Sequence, residues 1–444
     1  MVLRSNPYQE FHEECLRRAR DWPAELASEL QWLNGERAAA LKGFETLDLP
    51  TRKTENWKYT SINEIVQSNI LNMAAKNDAS TANLLTGDFY QINITNGHVD
   101  TGELLTSTGG IHLDQAIEII PFSTSVPGHQ QLIKTHLNKT FESQQHPFAA
   151  WNSSLLQDGL LIRVTTDSKA GKPICINHIS DNDGNSFSSH TRLLIVIDSG
   201  SEANIIENFT DLQGHTKSMN NALSEIVLGE NSKLSHFIVN GESLNHIHTG
   251  ASFVEQERGS QFTQHNFATG GSLKRRDIQV KLLGEQADCK MFGAYLIGGK
   301  SHVDYHTTIE HVAPHCTSEE NFKGIVTDKG KAVFNGRIHI HQDAQKSSAQ
   351  MNNKNLLLTN TAEVNTKPEL EIYADDVKCA HGATVGQLDE AALYYFQTRG
   401  ISKDEANHML SHAFIELIID EISINSVKEH VESITENFFD QRQR

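Results

Sequence analysis

Cys379 and His381 stand two residues apart in the string VKCAHGATVG, so on an extended segment a thiolate and an imidazole project from the same face. Those two donors suit iron or zinc, but two ligands make only half of a tetrahedral site. A complete site would have to borrow its other ligands from elsewhere in the chain or from another chain. The competing reading is a buried cysteine beside a hydrogen-bonded histidine, which needs no metal. Histidines also crowd in SHVDYHTTIEHVAPHC, from Ser301 to Cys316, and again at His339 and His341. If these segments are strands, His302 and His306 share a face, and so do His339 and His341. Each pair could in principle hold a divalent metal, and with 23 histidines in the chain solvent-facing strand positions are the simpler alternative.

Other chemistries have little support. There is no G-x-x-x-x-G-K-[ST] loop, no G-x-S-x-G elbow and no glycine-rich dinucleotide fingerprint, so the chain does not read as an ATPase or a serine hydrolase. Carboxylates are scattered through the central region, which leaves a carbohydrate-cleaving acid/base pair open. The 38 basic and 56 acidic side chains leave a formal charge of -18, which argues against capture of nucleic acid or anionic lipid and favours protein partners. No window approaches the roughly 20 apolar residues that span a bilayer, and the N-terminus lacks the apolar core of an export signal. Five widely spaced cysteines, Cys15, Cys175, Cys289, Cys316 and Cys379, do not form a disulfide framework; a reducing cytoplasm is the expected location.

The elements that must position these residues follow from pattern. Residues 1 to about 75 read as helical. Asn6 precedes Pro7 at a helix start, Phe11, Cys15, Leu16 and Ala19 follow at helical spacing, and a second helix is expected from Asp21 to Gly35. The segment DLPTRKTENWKYTSI mixes Arg52, Lys53 and Lys58 with Trp57 and Tyr59. It reads as a connector packed by its aromatic stems, with a basic-aromatic binding patch as the alternative. From Thr81 to about Gln145 the pattern is mixed, with short strands at FYQINI and GHVD.

From about Pro147 to Asp376, apolar runs rich in Val, Ile, Leu, Phe and Thr alternate with polar turns that recur roughly every 30 residues. One such unit cannot bury its apolar face alone, whereas a stack buries a continuous core, so a parallel β-helix is expected. Both ends of the stack need covers. The N-terminal helices suit one, and Cys379 falls at the other. Asn352, Asn353 and Asn355 fit either an amide ladder or a turn. The tail is punctuated as helices: Asp389 caps the first, Gly400 ends it, and Ser402 with Glu405 opens a second carrying Ala406, Met409, Leu410, Ala413, Phe414, Leu417 and Ile418 on one face. Ser426 with Glu429 repeats the device ahead of Val427, Val431, Ile434 and Phe438. In so small a tail, such stripes serve either as core or as docking surface.

The strings LPTRKTENWKYTSI, HPFAAWNSSLLQDGLLIRV, RRDIQVKLLGEQADC, FKGIVTDKGKAVFNGRIHIHQDAQKSSAQMNNKNLLL and PELEIYADDVKCAHGATVGQLDEAALYYFQTRGI resemble the SufB/SufD family of iron-sulfur cluster assembly proteins over nearly the whole chain. KCAHGATVG is closer to the SufD branch, as is the lack of a CxxC-type motif near the N-terminus. The resemblance implies a mainly β fold, a right-handed parallel β-helix flanked by N-terminal and C-terminal helical domains. We divide the chain into 1–125, 126–380 and 381–444 on that basis. It also implies a non-catalytic subunit of a SufBCD-type complex that pairs with a SufB-like subunit near the end of the β-helix and docks a SufC-like ATPase through its tail. No cofactor is expected to be tightly bound to the chain alone. Iron or a nascent cluster would be held transiently at the partner interface, with His381 as iron ligand and Cys379 as a second soft ligand or a structural thiol, while SufB supplies the sulfur-receiving cysteine. Ser402, Met409, Leu410, Phe414 and Leu417 map to the SufC-docking tail. A homodimer of the isolated chain stays open. So do two rivals: a SufB-like scaffold that binds a whole cluster, and a β-helix carbohydrate enzyme.

Overall fold

The turn repeat has a physical basis in the corners of a solenoid. In the computed structural model, which describes residues 6–440 apart from 27, 69, 74–83, 101–109, 182–184 and 213–216, strands alternate between two ten-stranded sheets. One chain of register partners runs Glu202, Lys233, Gln261, Asp288, Thr317, Ser348, Lys378, so each turn advances about 30 residues before pairing in parallel with the one before. At one corner a residue adopts positive φ in turn after turn: Gly200 (71°), Asn231 (55°), Gly259 (68°), Gln286 (62°), His315 (62°) and Lys346 (59°). Each donates its backbone N–H to a carbonyl of the following turn, as Asn231 does to Arg258 and His315 to Gln345. Beside them Ser201, Ser232, Ser260, Ala287, Cys316 and Ser347 stack as small buried residues. His315 and Cys316 are therefore corner residues, and the buried Cys316 thiol is engaged with the Gly284 carbonyl.

The strands' inward residues form one core from Ile92 to Ala374, dominated by Ile, Ala, Val and Leu. At the N-terminal end the stack is closed by antiparallel pairs, Tyr90–Thr95 with His98–Val99 and Ile111–Asp114 with Ile117–Pro121. The strands anticipated at FYQINI and GHVD are among them. The helices do not cover the ends. Helix Pro7–Glu25, helix Asn34–Glu45 and the helices Pro127–His136 and Pro147–Ser154 pack Phe11, Phe44, Ile133 and Trp151 against Leu194, Val196, Met219 and Ile247, on the outer face of one sheet. We call this the N-face sheet. Two tail helices, Lys403–Ile419 and Asn425–Asp440, lie along the other, the C-face sheet, packing Ile415, Ile418, Ile419, Val427, Val431 and Phe438 onto Phe237, Val239, Phe267, Phe292 and Ile325, while helix Glu390–Thr398 packs against Lys403–Ile419. Each of those buried aliphatic or aromatic side chains contributes about 1.5–3 kcal/mol, enough to fix the tail to the sheet's side.

Local expectations fared unevenly. Asn6, Asp389 and Ser402 cap their helices, accepting from the backbone N–H of Tyr8, Ala391 and Glu405, and Gly400 takes a positive φ of 84°. The helix expected from Asp21 to Gly35 is instead the end of Pro7–Glu25, a 3-10 turn Ser28–Leu33 and the start of Asn34–Glu45. Pro23 removes a backbone donor and the chain leaves the helix two residues later. Helix Asn425–Asp440 begins before Ser426, so that serine lies inside it. Asn352, Asn353 and Asn355 sit in strand Ser348–Leu357 rather than in a turn. Asn353 and Asn355 are buried and bond each other and the Tyr295 hydroxyl. Trp57 is buried under the Arg275 guanidinium, 3.8 Å from its ring, as a packed connector requires. Residue 380 falls inside the last strand, and the helices at 127–154 belong to the N-terminal layer.

Candidate site at the open end of the solenoid

The C-terminal end of the stack is made by strand Lys378–Gly386 in the C-face sheet and strand Glu363–Ile372 in the N-face sheet. Among the described residues each is paired on one side only, with Ser348–Leu357 and Lys331–Ile340 respectively. Nearly every earlier solenoid strand is largely buried; these two are half-buried and exposed, with Ile372, Tyr373 and Val385 open to solvent.

Register sets where the donors point. Cys379 lies beside Ala349 and His381 beside Met351, and both of those residues face the core. The thiol and the imidazole thus project toward the solenoid axis at a rim with no further described strand above it. Cys379 is half-buried against the core, and desolvation raises its thiol pKa. His381 is exposed and makes no hydrogen bond, ion pair or ring contact among the described residues. No third histidine, cysteine or carboxylate joins the pair within coordinating reach among those residues. The other four cysteines are buried in the body of the protein.

Residues 178–414 match the family described as SUF system FeS cluster assembly, SufBD core domain, and residues 21–176 match the SufBD protein N-terminal region. The chain is 31% identical over 388 residues to the iron-sulfur cluster assembly protein SufD of Escherichia coli (strain K12), covering 86% of this chain and 88% of the relative. It is 27% identical over 402 residues to an iron-sulfur cluster assembly SufBD family protein of Synechocystis (88% and 87% covered) and 23% identical over 433 residues to SufD of Bacillus subtilis (93% and 95% covered). The chain belongs to the SufB/SufD family. Its role lies in iron-sulfur cluster assembly by the SUF system.

Elsewhere in this SufB/SufD family chain, the remaining candidates separate. His302 and His306 share a face as expected, but Thr60 Oγ1 lies 3.1 Å from His302 Nε2, and His306 Nε2 lies 3.0 Å from Asp304 Oδ1. Asp304 also accepts from Arg275 at 2.7 Å, so the group is a buried ion-pair cluster rather than a ligand set. His339 and His341 do converge, with a partner that pattern reading missed: Glu310, which is His339's register neighbour one turn earlier. Also missed was Glu320, in the same inward column as His381 (Met291, Glu320, Met351, His381). It is buried, takes one hydrogen bond from Thr307 at 2.8 Å and leaves Oε1 without a partner; burial pushes its carboxyl up to about 8.

The predicted docking face of helix Lys403–Ile419 splits in two. Ala406 is buried, Ile418 is buried on the solenoid side, and Leu410 and Phe414 lie at the boundary, where Lys323 Nζ stands 4.9 Å from the Phe414 ring. Met409 (44% exposed) and Leu417 (63%), with Ala413 between them, form an outward stripe at i, i+4, i+8, and Tyr394 and Tyr395 are exposed on the preceding helix. No helix of the described residues is long and apolar enough to cross a membrane.

Proposed function

We propose that this protein is a non-catalytic subunit of a SufBCD-type complex in which the open end of the solenoid pairs with a SufB-like subunit and shares with it a transient iron or nascent iron-sulfur site. The observation that carries this reading is the donor pair itself: Cys379 and His381 project from the last strand of an uncovered sheet, with an incomplete ligand set and an unpaired edge beside them. An unpaired strand edge flanked by exposed Ile372 and Val385 is suited to pairing with another chain's strand. A neutral imidazole with no competing partner suits ferrous iron, and the half-buried thiol serves as a soft second ligand or a structural group. The missing ligands then belong to the partner. With four of five cysteines buried, a whole cluster held by this chain alone lacks its thiolates, which disfavours the SufB-like scaffold reading. The outward stripe Met409–Leu417, opened by the Ser402 cap and bordered by Leu410 and Phe414, is the proposed seat of a SufC-like ATPase, whose nucleotide cycle would bias the junction through the tail.

The test is coexpression with SufB-like and SufC-like partners, anaerobic purification, and assay of iron and acid-labile sulfide in wild type and His381→Ala. An intact complex with most of its iron and sulfide lost is expected. An intact complex with unchanged iron and sulfide would make the pair structural and the chain a docking scaffold.

A further inference from the structure

A second donor cluster lies on the other sheet, facing outward. His339, near the end of strand Lys331–Ile340, and His341, just past it, stand on one side of the chain, with ring centroids 4.3 Å apart and planes within 7°. Glu310 of strand His302–His311 pairs directly with His339 across the ladder. One donor atom from each of the three residues falls within 4.8 Å of the others. We propose that Glu310, His339 and His341 form a site for one divalent first-row transition cation, zinc or ferrous iron.

The surroundings are those of ligands held ready. Gln279 donates to Glu310 Oε1 at 2.8 Å, which leaves Oε2 directed at His341, 3.5 Å from its Nε2. That nitrogen is shielded from solvent and has no hydrogen-bond partner, although the rest of the ring is partly exposed. Tyr373 lies beside His339, with ring centroids 5.4 Å apart and planes tilted by 56°. Supporting contacts of this kind orient metal ligands. Metal–donor bonds of about 2.0–2.2 Å place ligand atoms roughly 3.3 Å apart, so binding requires side-chain rotations that draw the widest-spaced of these atoms in by up to about 1.5 Å.

Two histidines and a carboxylate leave further coordination positions open. Those positions face a cleft of about 510 Å³ between the outer face of the N-face sheet and the N-terminal segment, with Glu310, His339 and Glu371 on one wall and Glu55, Asn56 and His146 among the residues opposite. The cation would therefore keep water ligands and be exchangeable. This proposal stands whether or not Cys379 and His381 receive iron.

The experiment uses the full metal-free chain, titrated with Co²⁺ and followed by visible d–d absorption, then competed with Zn²⁺ and, without oxygen, with Fe²⁺; whichever displaces Co²⁺ at the lower concentration identifies the favoured ion. One saturable equivalent is expected. His339→Gln and His341→Gln should weaken binding by about tenfold or more, while His381→Ala and Cys379→Ser leave it unchanged. Saturating Zn²⁺ should raise the melting temperature of wild type and not of His339→Gln, a comparison each variant makes against its own apo form. Absence of saturable binding, or binding untouched by both histidine substitutions, or binding lost only with His381→Ala, would overturn the site.

Discussion

Cys379 with His381 and His339 with His341 are the same device in two places: two donors at i, i+2 at the end of a solenoid strand. What differs is the next turn. His339 has Glu310 as its register neighbour on an outward, wet face, among Lys281, Glu371 and Arg337. His381 has Met351 beside it and then the buried Glu320, in an inward column, and on its other side there is no described strand. Among the described residues, one pair has a third donor within reach in the same chain, and the other has none. Spacing along a strand supplies two ligands; stacking decides whether a third exists.

The largest effect that tests this contrast concerns the two glutamates beneath the histidines. Glu310 has Gln279 and His341 as partners, while Glu320 has one hydroxyl donor and no cation. The folded-state pKa of Glu320 is raised from 4.5 to about 8. Between those values the folded state holds a proton that the unfolded state has released, so stability falls as pH rises from about 4.5 to about 8, and is fully present below that window. At about 1.4 kcal/mol per pH unit the span reaches several kcal/mol as an upper bound. Glu320→Gln should match wild type in denaturant unfolding at pH 5 and exceed it clearly at pH 8. Parallel stability curves for the two proteins across that range would mean that Glu320 is solvated or paired.

The open rim yields the next effect in size. Val385 is 45% exposed on the terminal strand, on the inward side beside Asn355. Val385→Lys puts a charge where a partner strand would stack, and should weaken association with a SufB-like subunit by about a hundredfold, ~2.7 kcal/mol. The isolated variant should unfold within about 0.5 kcal/mol of wild type, as exposed substitutions do. Undiminished copurification would place the partner elsewhere.

Much of this architecture was legible in the chain. The turn interval implied stacked units because corners such as Gly200, Asn231 and Gly259 require positive φ, which Gly and Asn tolerate. Asp389 and Ser402 announced their helices because a short side-chain acceptor at that position satisfies a free N–H. The donor pair at Cys379 and His381 could be read from spacing alone. Glu310 could not, since it stands 29 residues before His339 and only the register between turns makes them neighbours. Nor could the placement of the helices on the sheet faces: an amphipathic stripe on Ile415 or Phe11 says that a face is buried, not against what. The split of Met409 and Leu417 from Ile418 has the same cause.

The smallest predicted effect asks whether the outer pair depends on support as well as on ligands. Gln279 touches no metal in the proposed site; its amide holds Glu310 Oε1 and also bonds His146 across the cleft. Gln279→Ala should lower Co²⁺ affinity by about tenfold or less, because Glu310 remains but its carboxylate is free to turn away. His146→Ala removes the other contact of the same amide and should leave affinity as it was. If both substitutions weaken binding equally, the cleft acts as a whole and Gln279 has no special hold on Glu310. If neither does, Glu310 needs no orienting partner, and the proximity of Glu310 to the two histidines is itself sufficient.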